Sequence, residues 1–127
     1  MSSALTNGVK VDAESFFVPE RSSSGRGVYF FAYRIQITNL AEVPVRLVSR
    51  HWIITDGNGR TEEIRGSGVV GSQPRLEPGD SFSYQSACPL PTVVGSMHGT
   101  YQMEYDDGRT FGVEIAPFTL AGPFALN

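Results

Sequence analysis

The chain of 127 residues carries 10 Lys and Arg against 13 Asp and Glu, a formal charge of −3, with 40% hydrophobic and 18% charged residues. That length reads as one domain over residues 1–127, with enough buried surface to need no metal or disulfide staple, and the apolar share excludes wholesale disorder. The acidic balance speaks against a nucleic-acid binder that works by releasing counterions.

In chain order, "MSSALTNG" has neither the basic start nor the apolar run of a signal peptide, and residues 1–7 are expected to be disordered. A strand is expected from Val9 and Val11 to Phe17 and Val18, followed by "PERSSSGRG", a polar, mobile loop. In "VYFFAYRIQITNL" the apolar Tyr29, Phe31, Tyr33, Ile35 and Ile37 alternate with polar Arg34, Gln36 and Thr38. That is the period of a strand with one buried face. "VRLVSRHWIITDGNGRTEEIRG" reads as a hairpin turning at Asn58-Gly59. Its first strand gives two answers, since Leu47 and Ile53 claim one face while Val48, Trp52 and Ile54 claim the other. Either both faces are buried or a β-bulge shifts the parity. Phe82 and Tyr84 alternate with Ser81, Ser83 and Gln85; Tyr101, Met103 and Tyr105 lead through the hairpin signal Asp107-Gly108 to Phe111, Val113 and Ile115. No segment has the spacing of an amphipathic helix, and about seven turn-punctuated strands predict an all-β antiparallel sandwich.

The stretch "EIRGSGVVGSQPRLEPGD" contains GSGVVG, the glycine spacing of a dinucleotide fingerprint. That motif needs a helix opening immediately after the glycines, because its amides and dipole hold the pyrophosphate. Here Pro74, Pro78 and Gly79 follow and forbid that helix. Nor does Gly71 lead into the Gly-Lys-Ser/Thr of a P-loop. A lesser site remains, an anion nest of backbone amides. Gly66, Ser67, Gly68 and Gly71 would be its cradle, and Arg65 and Arg75 its cations. Three amides at about 1.5–3 kcal/mol each, set against at least roughly 4 kcal/mol for association, give binding nearer millimolar than micromolar. The ligand would be pyrophosphate or a dinucleoside polyphosphate. The plainer reading is a glycine-rich crossover between two sheets. Arg65 and Arg75 decide between them: converging over the loop they favour an anion, and paired with Glu62, Glu63 or Glu77 they oppose it.

Little else carries chemistry. His98 shares the polar face of Thr100, Gln102 and Glu104, whereas His51 beside Trp52 reads as packed or hydrogen-bonded. Cys88 is alone, so no intrachain disulfide forms, and its parity with Phe82 and Tyr84 makes it a small buried hydrophobe. A calcium-loop start at Asp56 and Asn58 fails at Thr61 and Ser67, where Gly and a bidentate Glu belong. Neither G-x-S-x-G nor H-E-x-x-H occurs. The expectation is no catalytic residue, no metal site and no cofactor. No window reaches about 18 consecutive apolar residues, so no membrane span is expected, and a cytoplasmic location is the default expectation.

"RHWIITDGNG", then "GSGVVGSQPRLEPGDSFSYQSACPLPT" and "GTYQM", closely resemble the ApaG family over nearly the whole chain. The matching positions are Asn39-Leu40, Arg50-His51-Trp52, Gly66, Gly68, Gly71, Gln73-Pro74, Pro78-Gly79, Tyr84 and Pro117-Phe118, with Ala87 where Gly is common. The resemblance implies a fibronectin type III-like sandwich and an association with cobalt and magnesium efflux. It also implies neighbouring genes for a diadenosine tetraphosphate hydrolase and ribosomal RNA methylation, and a presumed protein-binding role in F-box and polymerase-delta-interacting relatives. The function expected is therefore a non-enzymatic binding module for a protein partner of unknown identity. A phosphate-containing small molecule is the alternative ligand, a homodimer is an open assembly, and neither nucleic acid nor membrane is a partner.

Overall fold

The alternation of apolar and polar residues closes into two antiparallel sheets in the computed structural model, which describes residues 1–123. The strands are β1 Ser2–Thr6, β2 Val9–Phe17, β3 Tyr29–Asn39, β4 Val45–Asp56, β5 Thr61–Ser67, β6 Arg75–Leu76, β7 Ser81–Leu90, β8 Val94–Tyr105 and β9 Thr110–Ala121. One sheet runs β1-β2-β3-β7; the other runs β5-β4-β8-β9, with β6 beside β4. The expected β-sandwich is what forms, with nine strands among the described residues in place of about seven. Among the described residues no helix is long and apolar enough to cross a membrane.

The two added strands are informative. Residues 1–7 are not disordered: β1 pairs with β2 from Ser2↔Ala13 to Thr6↔Val9. The connection is Asn7-Gly8, both at positive φ (49° and 82°), the two-residue turn whose twist suits a hairpin. Hydroxyls then tie this corner to the opposite sheet. Ser2 Oγ donates to Ala116 O at 2.8 Å, Ser15 Oγ donates to Thr119 O at 2.7 Å, and the Glu114 amide donates to Thr6 Oγ1 at 3.2 Å. The other addition, β6, carries only two residues along β4. The polar stretch after Val18 is organised into two 3₁₀ turns, and the Ser22 hydroxyl bridges Val18 O and the Phe30 amide.

The two answers given by β4 are reconciled by a bulge. Pairing with β8 shifts between Leu47↔Met103 and Ser49↔Gln102, leaving Val48 unmatched. Val45 and Leu47 therefore share the buried face with Trp52 and Ile54. Trp52 sits at the centre of the core, with Tyr33, Tyr101 and Phe118 around it at ring separations of 5.4, 6.3 and 6.0 Å, all edge-on. Such pairs add about 0.5–1.5 kcal/mol each beyond area burial. Asn39, fully buried at the end of β3, donates to Val43 O and Leu76 O and accepts from the Ala41 amide, fixing the crossover into β4.

Polar contact also crosses the core. The Tyr84 hydroxyl on β7 hydrogen-bonds that of Tyr101 on β8, joining the sheets. Burial pushes both phenols above their ordinary 10.0, raises Tyr33 as well, and lifts the Cys88 thiol from 9.0 to about 11. Each group is neutral in the fold and ionises more readily once unfolded, so its stabilisation is complete below the ordinary value and lost as pH climbs toward the folded one.

Tyr84→Phe strands the Tyr101 hydroxyl in the core and is expected to cost about 1–3 kcal/mol, part of it recovered by adding Tyr101→Phe. Urea denaturation of both single variants and the double variant measures the cycle. The urea midpoint of the native chain is expected to hold steady up to about pH 9 and to fall above it. Cys88→Ala should remove the first part of that fall.

Candidate functional site

The glycine stretch is an excursion in an edge strand. β5 and β6 lie along the same edge of β4, at Ser49↔Ser67 and Arg46↔Arg75. On β4 only Leu47 and Val48 separate those points, whereas the edge strand spends residues 68–74 between them. The surplus rises as a loop, and β4 pins its feet. Val48 O accepts from the Gly68 amide at 2.8 Å and from Gln73 Nε2 at 2.9 Å, while the Leu47 amide donates to Pro74 O at 3.0 Å.

The loop closes on itself. The Val69 and Ser72 amides each donate to the other's carbonyl at 2.8 Å. The intervening Val70 and Gly71 take φ of 42° and 78°, the signs of a tight hairpin turn. Left-handed backbone at a β-branched residue is strained, and Val70 holds its side chain 61% exposed at the tip. Val69, by contrast, is buried and plugs the loop into the core.

Arg50 props the loop from below. Its Nη1 donates to Ser67 O at 2.9 Å and Gly68 O at 2.8 Å. A Cβ on Gly66 would lie 2.7 Å from this guanidinium, and one on Gly68 would lie 2.3 Å from Ser72 O. The backbone oxygen and a φ of 59° account for Gly68 with no ligand required, whereas the neighbour of Gly66 is the movable end of the Arg50 side chain.

The sequence-predicted site residues are only partly brought together. Ser67, Gly68, Gly71, Ser72 and Gln73 line a polar hollow of about 350 Å³. Arg65 and Arg75 do not converge on it. Arg65 Nη2 lies 3.6 Å from Glu63 Oε1, and Arg75 bonds Glu77 and Asp106, each at 2.6 Å. The hydrogen bond from Arg75 holds the Asp106 carboxyl below the ordinary 3.8. The cation beside the glycines is Arg50, whose signal was its place in the Arg50-His51-Trp52 triplet next to the ambiguous strand register.

Elsewhere, the Cys88 thiol is buried and less acidic than usual, the reverse of an activated nucleophile. His51 Nε2 lies 2.8 Å from Glu63 Oε1 on the outer side of β4 and β5. The Asp56 carboxylate accepts from the Asn58 and Arg60 amides, so it holds the hairpin turn. Among the described residues no group of three or more His, Cys, Asp or Glu is placed to hold a metal ion.

Comparison with known proteins agrees with this architecture. Residues 19–105 match the ApaG domain. Protein ApaG from Anaeromyxobacter dehalogenans (strain 2CP-C) is 54% identical over 127 residues, covering 100% of both chains. Protein ApaG from Dechloromonas aromatica (strain RCB) is 52% identical over 124 residues, covering 96% of this chain and 98% of that protein. A crystal structure of the ApaA protein from Bordetella pertussis superposes with a TM-score of 0.88 at 49% identity, over 91% of this chain and 94% of that one. The chain belongs to the ApaG domain family.

Proposed function

We propose that the chain is a non-enzymatic cytoplasmic binding module that docks on another protein through the tip of its glycine loop. The observation that carries this reading is Val70, an apolar side chain presented 61% exposed on strained backbone by a loop anchored to β4. A rigid loop on a sandwich is a natural contact element, because little ordering entropy is lost when a partner closes over it. A fibronectin type III-like architecture, as the family resemblance implies, is in keeping with such a role. Any association with cobalt and magnesium efflux then runs through the partner.

The second reading is pyrophosphate or a dinucleoside polyphosphate held at Arg65, Gly66, Ser67, Gly68, Gly71 and Arg75. The polar hollow beside Gly68 and Gly71 favours it. The hydrogen bonds weigh on the other side: the Gly68, Val69 and Ser72 amides are engaged within the protein, and Arg65 and Arg75 are paired with carboxylates. An anion nest needs amides free to point outward.

Val70→Asn separates the two, since Asn accepts left-handed backbone and removes the apolar tip. The variant is expected to be as stable as the native chain or up to about 1 kcal/mol more so, while losing the protein that the native chain captures stoichiometrically from lysate. Calorimetry with pyrophosphate and diadenosine tetraphosphate is expected to show no heat at millimolar ligand. Failure to capture any stoichiometric partner across several salt concentrations, or clear heat from either phosphate, overturns the reading.

A further inference from the structure

The sandwich has several strand edges, and they are not protected alike. An exposed edge is a template for another strand, which proteins blunt with charge, proline, bulges or covering groups. The outer edge of β9 is met by the hydroxyls of Ser2, Thr6 and Ser15. β5 carries Glu62, Glu63 and Arg65. β7 reads SFSYQSACPL and carries no charge at all.

Hydrogen bonding shows what β7 offers outward. Asn39 N donates to Asp80 O, whereas Leu40 N donates to Gly8 O and Val18 N to Phe30 O on the β2 side. Odd residues of β3 therefore bond β7 and even ones bond β2. With the register Ile37↔Phe82 and Ile35↔Tyr84, the even residues of β7 face β3. The backbone of Ser81, Ser83, Gln85 and Ala87 is left facing out, and all four side chains are exposed. Pro89 follows in the same outward series, where it has no N–H to give, and closes the row at that end.

We infer that this row is a self-pairing edge: a second copy of the chain docks antiparallel along β7, about a two-fold axis at Tyr84, and joins two four-stranded sheets into one. In that register Ser83 lies opposite Gln85 of the second copy and Ser81 opposite its Ala87, and each pair exchanges two backbone hydrogen bonds. Self-association asks that the strand be compatible with its own reverse. These pairs are small and neutral, so no like charges meet across the axis, and Pro89 falls beyond the paired row. A foreign strand would gain nothing further from the paired row, which offers no charge and, short of Pro89 at its end, no apolar side chain larger than Ala87 to recognise it. The seam is short, so the dimer belongs to the weak class, with dissociation in the micromolar range. This inference is independent of the role given to Val70.

Sedimentation of the full chain from about 1 μM to about 1 mM tests it. The expected result is a reversible monomer–dimer equilibrium, together with amide protection of Ser83, Gln85 and Ala87 that rises with concentration. Ser83→Lys/Gln85→Lys puts like charges in both central pairs and is expected to weaken association more than about tenfold. Mixing it with Ser83→Glu/Gln85→Glu should restore a heterodimer. The exchange readout uses the unaltered chain, so it stands even where a variant folds poorly. A chain that stays monomeric throughout, a dimer indifferent to these substitutions, or a foreign protein bound at β7 by a monomeric chain overturns the proposal. Loss of partner capture by Val70→Asn with dimerisation intact bears on the loop alone.

Discussion

Val48 is one residue too many for the strand beside it. The surplus turns the parity of β4, so that Val45 and Leu47 reach the same core as Trp52 and Ile54. It also turns a carbonyl toward the edge, where Val48 O receives both the Gly68 amide and the Gln73 side chain. The glycine loop can leave the edge and rejoin it because those two contacts, with the Leu47 amide on Pro74, replace the missing strand ladder. A bulge that re-aims side chains at a sheet edge is a common basis for a site.

The same geometry explains why a nucleotide-like motif sits in a protein without the nucleotide-binding helix. Three of the amides that would cradle a phosphate, those of Gly68, Val69 and Ser72, bond Val48 and one another, and Nη1 of the propping Arg50 guanidinium donates to the Ser67 and Gly68 carbonyls. Gly66 and Gly68 give way to the guanidinium and to the Ser72 carbonyl, respectively. The loop is thus ordered by the protein itself, and it exposes the apolar Val70 at its tip alongside the polar hollow.

Strands with one wet face were legible in the sequence because burial writes itself into alternate residues, as in β3, β7, β8 and β9. The prolines after Gly71 excluded a helix, and none forms there. β1 was illegible as a strand because "SSALT" is short and mostly polar; its hydroxyls bond the far sheet, and only Asn7-Gly8 announced the hairpin. The register of β4 stayed open because a bulge is chosen by neighbouring strands, not by local pattern. Partners of the arginines were out of reach for a similar reason. Asp106, which binds Arg75, lies 31 positions away in sequence, and nothing near Arg50 foretells that it faces carbonyl oxygens.

The hydroxyl latch between the first strand and β9 has a consequence for how the molecule is handled and how it fails. Ser2 and Thr6 shield main-chain groups of the last strand that would otherwise face water. Proteolytic nicking before Val9, or a fusion that crowds this corner, would unmask that flank on the side of the sandwich opposite the already neutral β7 rim. A molecule with two adhesive flanks grows into chains, whereas one flank stops at a pair. β1 thus guards against edge-to-edge growth as much as it completes the sheet.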